Sequence, residues 1–240
     1  MKKLYFTLII FIFAGISLSA QQITPAEIFS NIKKRSSAVN DYTAEINGNL
    51  NLEKFRIPKL KMKIYFKQPD KFHYESENFA LLPKGGVNFN PMDYPEDKFN
   101  YKLNGKETIN NTTVYQLEIT PKEVKGKKGE KKDLPEGRTF LWVDSDNWVV
   151  KRIVNEKDEM FKVIMEFTHS WIDGKFYMPS ELKISYDIKT PAEGEASMDQ
   201  KAQKRSRIPK MQKGEVLLYI SNYKINAGIS DDVFKNQKEK

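Results

Sequence analysis

Cysteine is absent from all 240 residues, and histidine occurs only twice, as His73 and His169. Without cysteine there is no thiol nucleophile, no thiolate metal site and no disulfide. A lipobox, and with it a lipid anchor on this chain, is excluded for the same reason. The fold must therefore be held by burial alone. The Walker A loop, the dinucleotide-binding glycine fingerprint, the H-E-x-x-H pair and the G-x-S-x-G elbow are also missing. His73 alternates out of phase with Phe72 and Tyr74, and His169 sits near a strand end, so both are expected at the surface. The neighbouring acids Asp231 and Asp232 read as capping residues rather than a catalytic dyad. Glu156, Asp158 and Glu159 fall in an expected turn, and the glycosylation sequon at Asn111-Thr112-Thr113 reads as a hairpin loop. Nothing brings a nucleophile to a base, so binding without catalysis is the expectation.

One long apolar run is present, at the start. Lys2 and Lys3 precede Leu4–Ile16, which only Thr7 interrupts, and Ser17, Ser19 and Ala20 follow. That is the three-part layout of a secretory signal, and the run is short of the roughly 20 residues of a membrane span. Cleavage after Ala20 is expected, leaving 21–240 as one domain of about 220 residues. The net charge of +8 falls to +6 once the two signal lysines are removed. Such a charge favours anionic surfaces, and export makes nucleic acid an improbable partner. Much of the excess lies in 121–137 and 201–213, both poor in apolar residues. They read as solvated, mobile hairpin loops (121–137 and 190–213) or as docking segments for a membrane or partner.

Thr24-Pro25-Ala26-Glu27 carries a capping box, and Ile28, Phe29, Ile32 and Val39 recur at helical spacing, so a helix is expected to end at Asn40-Asp41. From Tyr42 the period changes to two. Tyr42, Ala44, Ile46, Gly48, Leu50 and Leu52 alternate with polar residues, as do Leu60, Met62, Ile64 and Phe66. Phe161, Val163, Met165 and Phe167 share a face, and so do Phe176, Met178, Leu182, Ile184, Tyr186 and Ile188. Turns are expected at Asp144-Ser145-Asp146-Asn147 and Asp173-Gly174. The sum is roughly nine to eleven antiparallel strands with one helix. One helix cannot cover so large a curled sheet. Either a second sheet completes a filled sandwich, or the curl leaves an apolar cavity.

The stretch Lys63–Phe72, with Gln68-Pro69 at its turn, resembles the strand and turn W-V-K-R-P-N-x-F of the periplasmic lipoprotein carriers, the LolA-like family. Ser37–Ile46 looks like that family's helix-to-strand joint. Tyr115–Lys122 is similar to its strand ending in L-x-P-K, and Leu141–Asp144 and Tyr223–Phe234 resemble its later hairpin and C-terminal end. The resemblance implies an incomplete antiparallel β-barrel with an N-terminal helix and lid segments enclosing an apolar cavity for acyl chains. The cavity wall would then comprise Leu50, Leu60, Met62, Ile64, Phe66, Phe161, Val163, Met165, Met178, Leu182, Ile184 and Tyr186. Gln68 would make the lid contact, without the charge of the family's arginine, and Phe72 would meet a release complex at the mouth. The family's D-G-x-x-L-W-x-Y stretch is not recognisable; Phe79–Val87 stands there instead. The implied function is a periplasmic, cofactor-free carrier of lipoproteins or another acylated cargo. Its partners would be an inner-membrane release complex, an outer-membrane acceptor and, transiently, a membrane surface. Rival readings are an envelope sensor of the same fold, an envelope hydrolase and a filled structural sandwich.

Overall fold

The computed structural model describes residues 23–52, 55–56, 60–76, 93–122, 137–157, 161–188 and 213–235. The expected signal segment and most of the two lysine-rich stretches lie outside the described residues.

Helix α1 is Pro25–Ser36. Thr24 caps it: its Oγ1 accepts from Glu27 N at 3.2 Å, while Thr24 N donates to the Glu27 carboxylate at 2.8 Å. The helix ends earlier than its apolar spacing suggests, at Ser36, where Lys33, Lys34 and Arg35 complement the negative end of its dipole. Val39 lies beyond the helix yet still packs on the core.

Eleven strands follow. They are β1 (Asp41–Leu52), β2 (Phe55–Arg56), β3 (Leu60–Lys67), β4 (Lys71–Ser76), β5 (Phe99–Ile109), β6 (Thr112–Pro121), β7 (Arg138–Asp144), β8 (Val150–Lys157), β9 (Phe161–Ile172), β10 (Phe176–Ile188) and β11 (Lys213–Ile225). Their order is β4-β3-β1-β11-β10-β9-β8-β7-β6-β5, with β2 paired onto β1. All strand pairings among the described residues are antiparallel. The end strands β4 and β5 do not pair with each other, so the sheet curls without closing into a barrel. Register shifts at Thr43/Glu45, Leu103/Gly105, Trp142/Val143 and Pro179/Glu181 add to the curl. The last of these interrupts an alternation that the sequence carries unbroken from Phe176 to Ile188.

One rim of the sheet is made of tight turns. Asn110-Asn111 and Asp173-Gly174 all take positive φ, between 47° and 61°, the signature of turns matched to strand twist. Asp144 is buried and accepts from Asp146 N and Asn147 N, both at 2.9 Å, which closes the β7–β8 turn. The 3-10 turn Asp231–Phe234, capped by Ser230, also sits against this rim through β4. The longer connections all join strand ends at the opposite rim.

The concave face carries the core. Ile28 and Ile32 of α1 pack into one cluster with Ile46, Ile64, Leu117, Leu141, Leu182 and Leu218. Gly48 is needed here, because a Cβ at that position would lie 2.6 Å from Leu218 Cδ2. The convex face is wet except over β6–β8, where Val114, Trp142 and Val154 are buried. Long charged side chains roof that patch: the Arg152 guanidinium lies 5.5 Å from the centre of the Trp142 ring and bridges to Glu166 at 2.6 Å. Trp142 Nε1 donates to Glu107.

Candidate functional site

The concave face reaches the surface at the rim opposite the tight turns. There the ends of β5, β6, β7, β8 and β9 bound a groove of about 260 Å³. Its apolar walls are Phe99, Ile119, Pro121 and Phe161. Phe161 is 37% exposed, so a large ring stands open to solvent beside a buried Phe99. Gly137 forms one lip with φ of +105°, and a Cβ there would lie 2.1 Å from the Glu156 carbonyl oxygen. Only glycine allows β7 to begin this close to β8.

Arg138, Thr139, Asn155, Glu156 and Lys157 supply its polar lining. Thr139 Oγ1 donates to Asn155 Oδ1 at 2.8 Å. The Tyr94 hydroxyl also bonds Thr139, and burial pushes its pKa above the ordinary value of 10.0. Arg138 bridges Glu156 at 3.3 Å and Glu118 at 3.9 Å, and Lys162 bridges Glu156 at 3.1 Å.

Of the residues expected to line a cavity, Phe161 alone lines this groove. Leu60, Met62, Ile64, Met178, Leu182 and Ile184 are buried in the main apolar cluster. Phe66, Val163, Met165 and Tyr186 are half-buried against the same core. Leu50 falls within β1, but its side chain is outside the described set.

Gln68 does reach carbonyls, those of Ser36 at 3.1 Å and Val39 at 2.8 Å, at the C-terminal end of α1. Phe72 lies on edge strand β4 near the tight-turn rim, paired with Phe66 and packed on the core. The structure does not bring it to the groove. His73 and His169 are both partly buried, and His169 continues the inward phase of Phe167. Its ring stacks on Tyr177 at 5.2 Å, opposite the Pro179/Glu181 bulge, and Nδ1 is buried without a hydrogen-bond partner. Burial, aided by the Lys151 cation, pushes its pKa down to about 3. The Thr139–Asn155 pair escaped the sequence reading: two polar residues facing inward on apolar strands were the available signal.

No protein-family model matches the chain, and no curated protein matches it in sequence. Solved structures do match in fold. An outer membrane lipoprotein-sorting protein domain from Vibrio parahaemolyticus superposes with a TM-score of 0.59 at 12% identity, over 87% of this chain and 95% of that one. A DUF1329 family protein from Desulfovibrio piger gives 0.54 at 15% identity, over 88% and 97%. A LolA superfamily protein from Nitrosomonas europaea gives 0.48 at 11% identity, over 89% and 98%. The first two show that the chain has the open, curled-sheet fold of a lipoprotein-sorting domain.

Proposed function

We propose that this chain is an exported carrier of the cell envelope, which shelters an acyl chain of a lipidated protein or another acylated cargo during transfer towards the outer membrane. The observation that carries this reading is the rim groove, where Phe161 and Phe99 bring the apolar concave face to solvent. At about 260 Å³ the groove is smaller than typical ligand pockets of about 300–1,000 Å³, so it holds the end of a chain rather than its whole length. Each methylene it takes from water contributes about 0.8 kcal/mol, so about six contribute roughly 5 kcal/mol gross. A carrier must return that energy on release, and a shallow, open groove suits loading and unloading better than a sealed cavity. The fold of lipoprotein-sorting domains and the secretory layout of residues 1–20 support an envelope location. Loading from an inner-membrane release complex, delivery to an outer-membrane acceptor and passing contact with a membrane surface complete the proposal. No catalytic step or cofactor enters it.

The test is organic-solvent extraction and mass spectrometry of the exported protein, beside displacement of a fluorescent fatty-acid probe. Acyl species should co-purify with the wild type, and Phe161→Glu should weaken probe binding with little change in melting temperature. A wild type that yields no acyl species and binds no probe would overturn the carrier reading.

A further inference from the structure

We propose that the groove recognises the carbonyl oxygen at the head of an acyl chain through the side-chain amide of Asn155. This rests on the acyl-carrier reading above and names what the carrier grips. Asn155 and Thr139 are register partners on β8 and β7, both lining the groove. The Thr139 hydroxyl donates to Asn155 Oδ1, which occupies the oxygen of the amide and fixes its orientation. The two Asn155 Nδ2 hydrogens then have no acceptor among the described residues. Nor is that nitrogen among the buried polar atoms left without a partner, so it retains contact with solvent in the groove.

Thr139 is in turn held by the Tyr94 hydroxyl, and the Tyr94 ring packs edge-on to Phe99 at 5.3 Å. The apolar wall and the polar pair are thus one braced unit. A single oriented donor in an apolar groove is the arrangement that fixes a ligand's direction. An amide donor at this position calls for an oxygen acceptor where the chain meets its head.

Glu156 and Lys157 both line the groove; Glu156 is bridged to Arg138 and Lys162, and Lys157 follows Asn155 on the same face of β8. An ester or amide carbonyl and a carboxylate can each accept from Asn155 there. The assigned ligand is therefore the carbonyl oxygen at the head of a fatty chain.

The experiment displaces anilinonaphthalene sulfonate from the full mature chain with methyl dodecanoate, dodecanoate and dodecane. The ester should displace the probe at a concentration about fivefold to tenfold below that of the hydrocarbon, the worth of one hydrogen bond. Dodecanoate, whose carboxylate oxygen can accept the same hydrogen bond, should also displace the probe at a lower concentration than the hydrocarbon. Asn155→Leu should erase the preference for ester over hydrocarbon while leaving dodecane unchanged. Asn155→Asp, of the same shape but without the donor hydrogens, should erase it as well and serves if the leucine variant does not fold. A wild type displaced equally by ester and hydrocarbon, or a preference that survives both substitutions, overturns the inference while leaving the carrier reading in place. A wild type from which none of the three displaces the probe overturns the carrier reading itself.

Discussion

Gln68 and Val39 are tied across the joint between the first helix and the sheet: the Gln68 amide nitrogen lies 2.8 Å from the Val39 carbonyl oxygen. The same amide donates to Ser36, and Gln68 N donates to the Asn40 carbonyl at 2.8 Å. Asn226 completes the joint, donating to the Ala38 carbonyl at 3.0 Å and accepting from Asn40 N at 2.7 Å. The β3–β4 turn and the C-terminal segment thus clasp the helix end from both sides.

Gln68→Leu removes two side-chain bonds but keeps the main-chain one, so stability should fall by about 1–2 kcal/mol. Gln68→Arg offers a charged fork to the same carbonyls and should at least match the wild type. Urea unfolding measures both. The entry rate of a fluorescent fatty-acid probe should rise in the leucine variant and fall in the arginine variant. Wild-type values for both variants in both assays would show that the clasp does not govern loading.

His169 makes stability depend on pH in one direction. In the fold its pKa is about 3, while the unfolded chain takes up that proton near the ordinary value of 6.5. The unfolded state binds more protons throughout that interval, so stability falls as pH drops from 6.5 towards 3. His169→Phe keeps the stacked ring between Phe167 and Tyr177 and removes the proton site. Melting curves should show a gain for the variant that grows below pH 6.5. A difference that stays constant with pH would sink this account.

Asp231 adds a second, opposite kind of group. Its carboxylate sits 2.7 Å from Lys67 and 2.9 Å from Lys71, and hydrogen bonds from these two lower its pKa from 3.8 to about 2. A lowered carboxylate stabilises the fold fully above pH 3.8 and loses that contribution as pH falls to about 2. The pair is half-exposed, so the effect is small and weakens with salt. Asp231→Asn should melt slightly lower than wild type at neutral pH, and the two should converge near pH 2. A gap that persists at pH 2 assigns the effect of the substitution to something other than charge.

Strand alternation made most of the sheet legible in advance. Tyr42, Ala44, Ile46 and Gly48 are buried, while Glu45 and Asn47 are exposed, because a half-covered strand writes its two faces directly into the chain. The capping box at Thr24 and the turn at Asp173-Gly174 were equally readable, since each depends on a local preference. The partial burial of His169 follows from the same alternation, since it stands two residues beyond Phe167 on the inward face. What alternation does not show is the bulge opposite it, at Pro179/Glu181, because bulges leave no period of their own. The groove was missed for a related reason. Alternation says which residues face inward, not which of them the helix and neighbouring strands then cover. Thus Met62 and Ile184 are sealed in the core, whereas Phe161, on the same inward phase as Phe167, meets solvent at the strand end.

The sheet order has a consequence for how the chain reaches its folded state. β1 lies between β3, which follows it closely, and β11, whose Ile220 pairs with Ile46. Until the final strand is available, the N-terminal hairpin has one flank of main-chain groups unsatisfied, and the long meander β5–β10 has no strand paired to it. Contacts so distant in sequence form late. A chain threaded across a membrane from its N-terminus therefore cannot knit its sheet together until almost its whole length has passed. The last strand to emerge is the one that joins the two halves of the sheet.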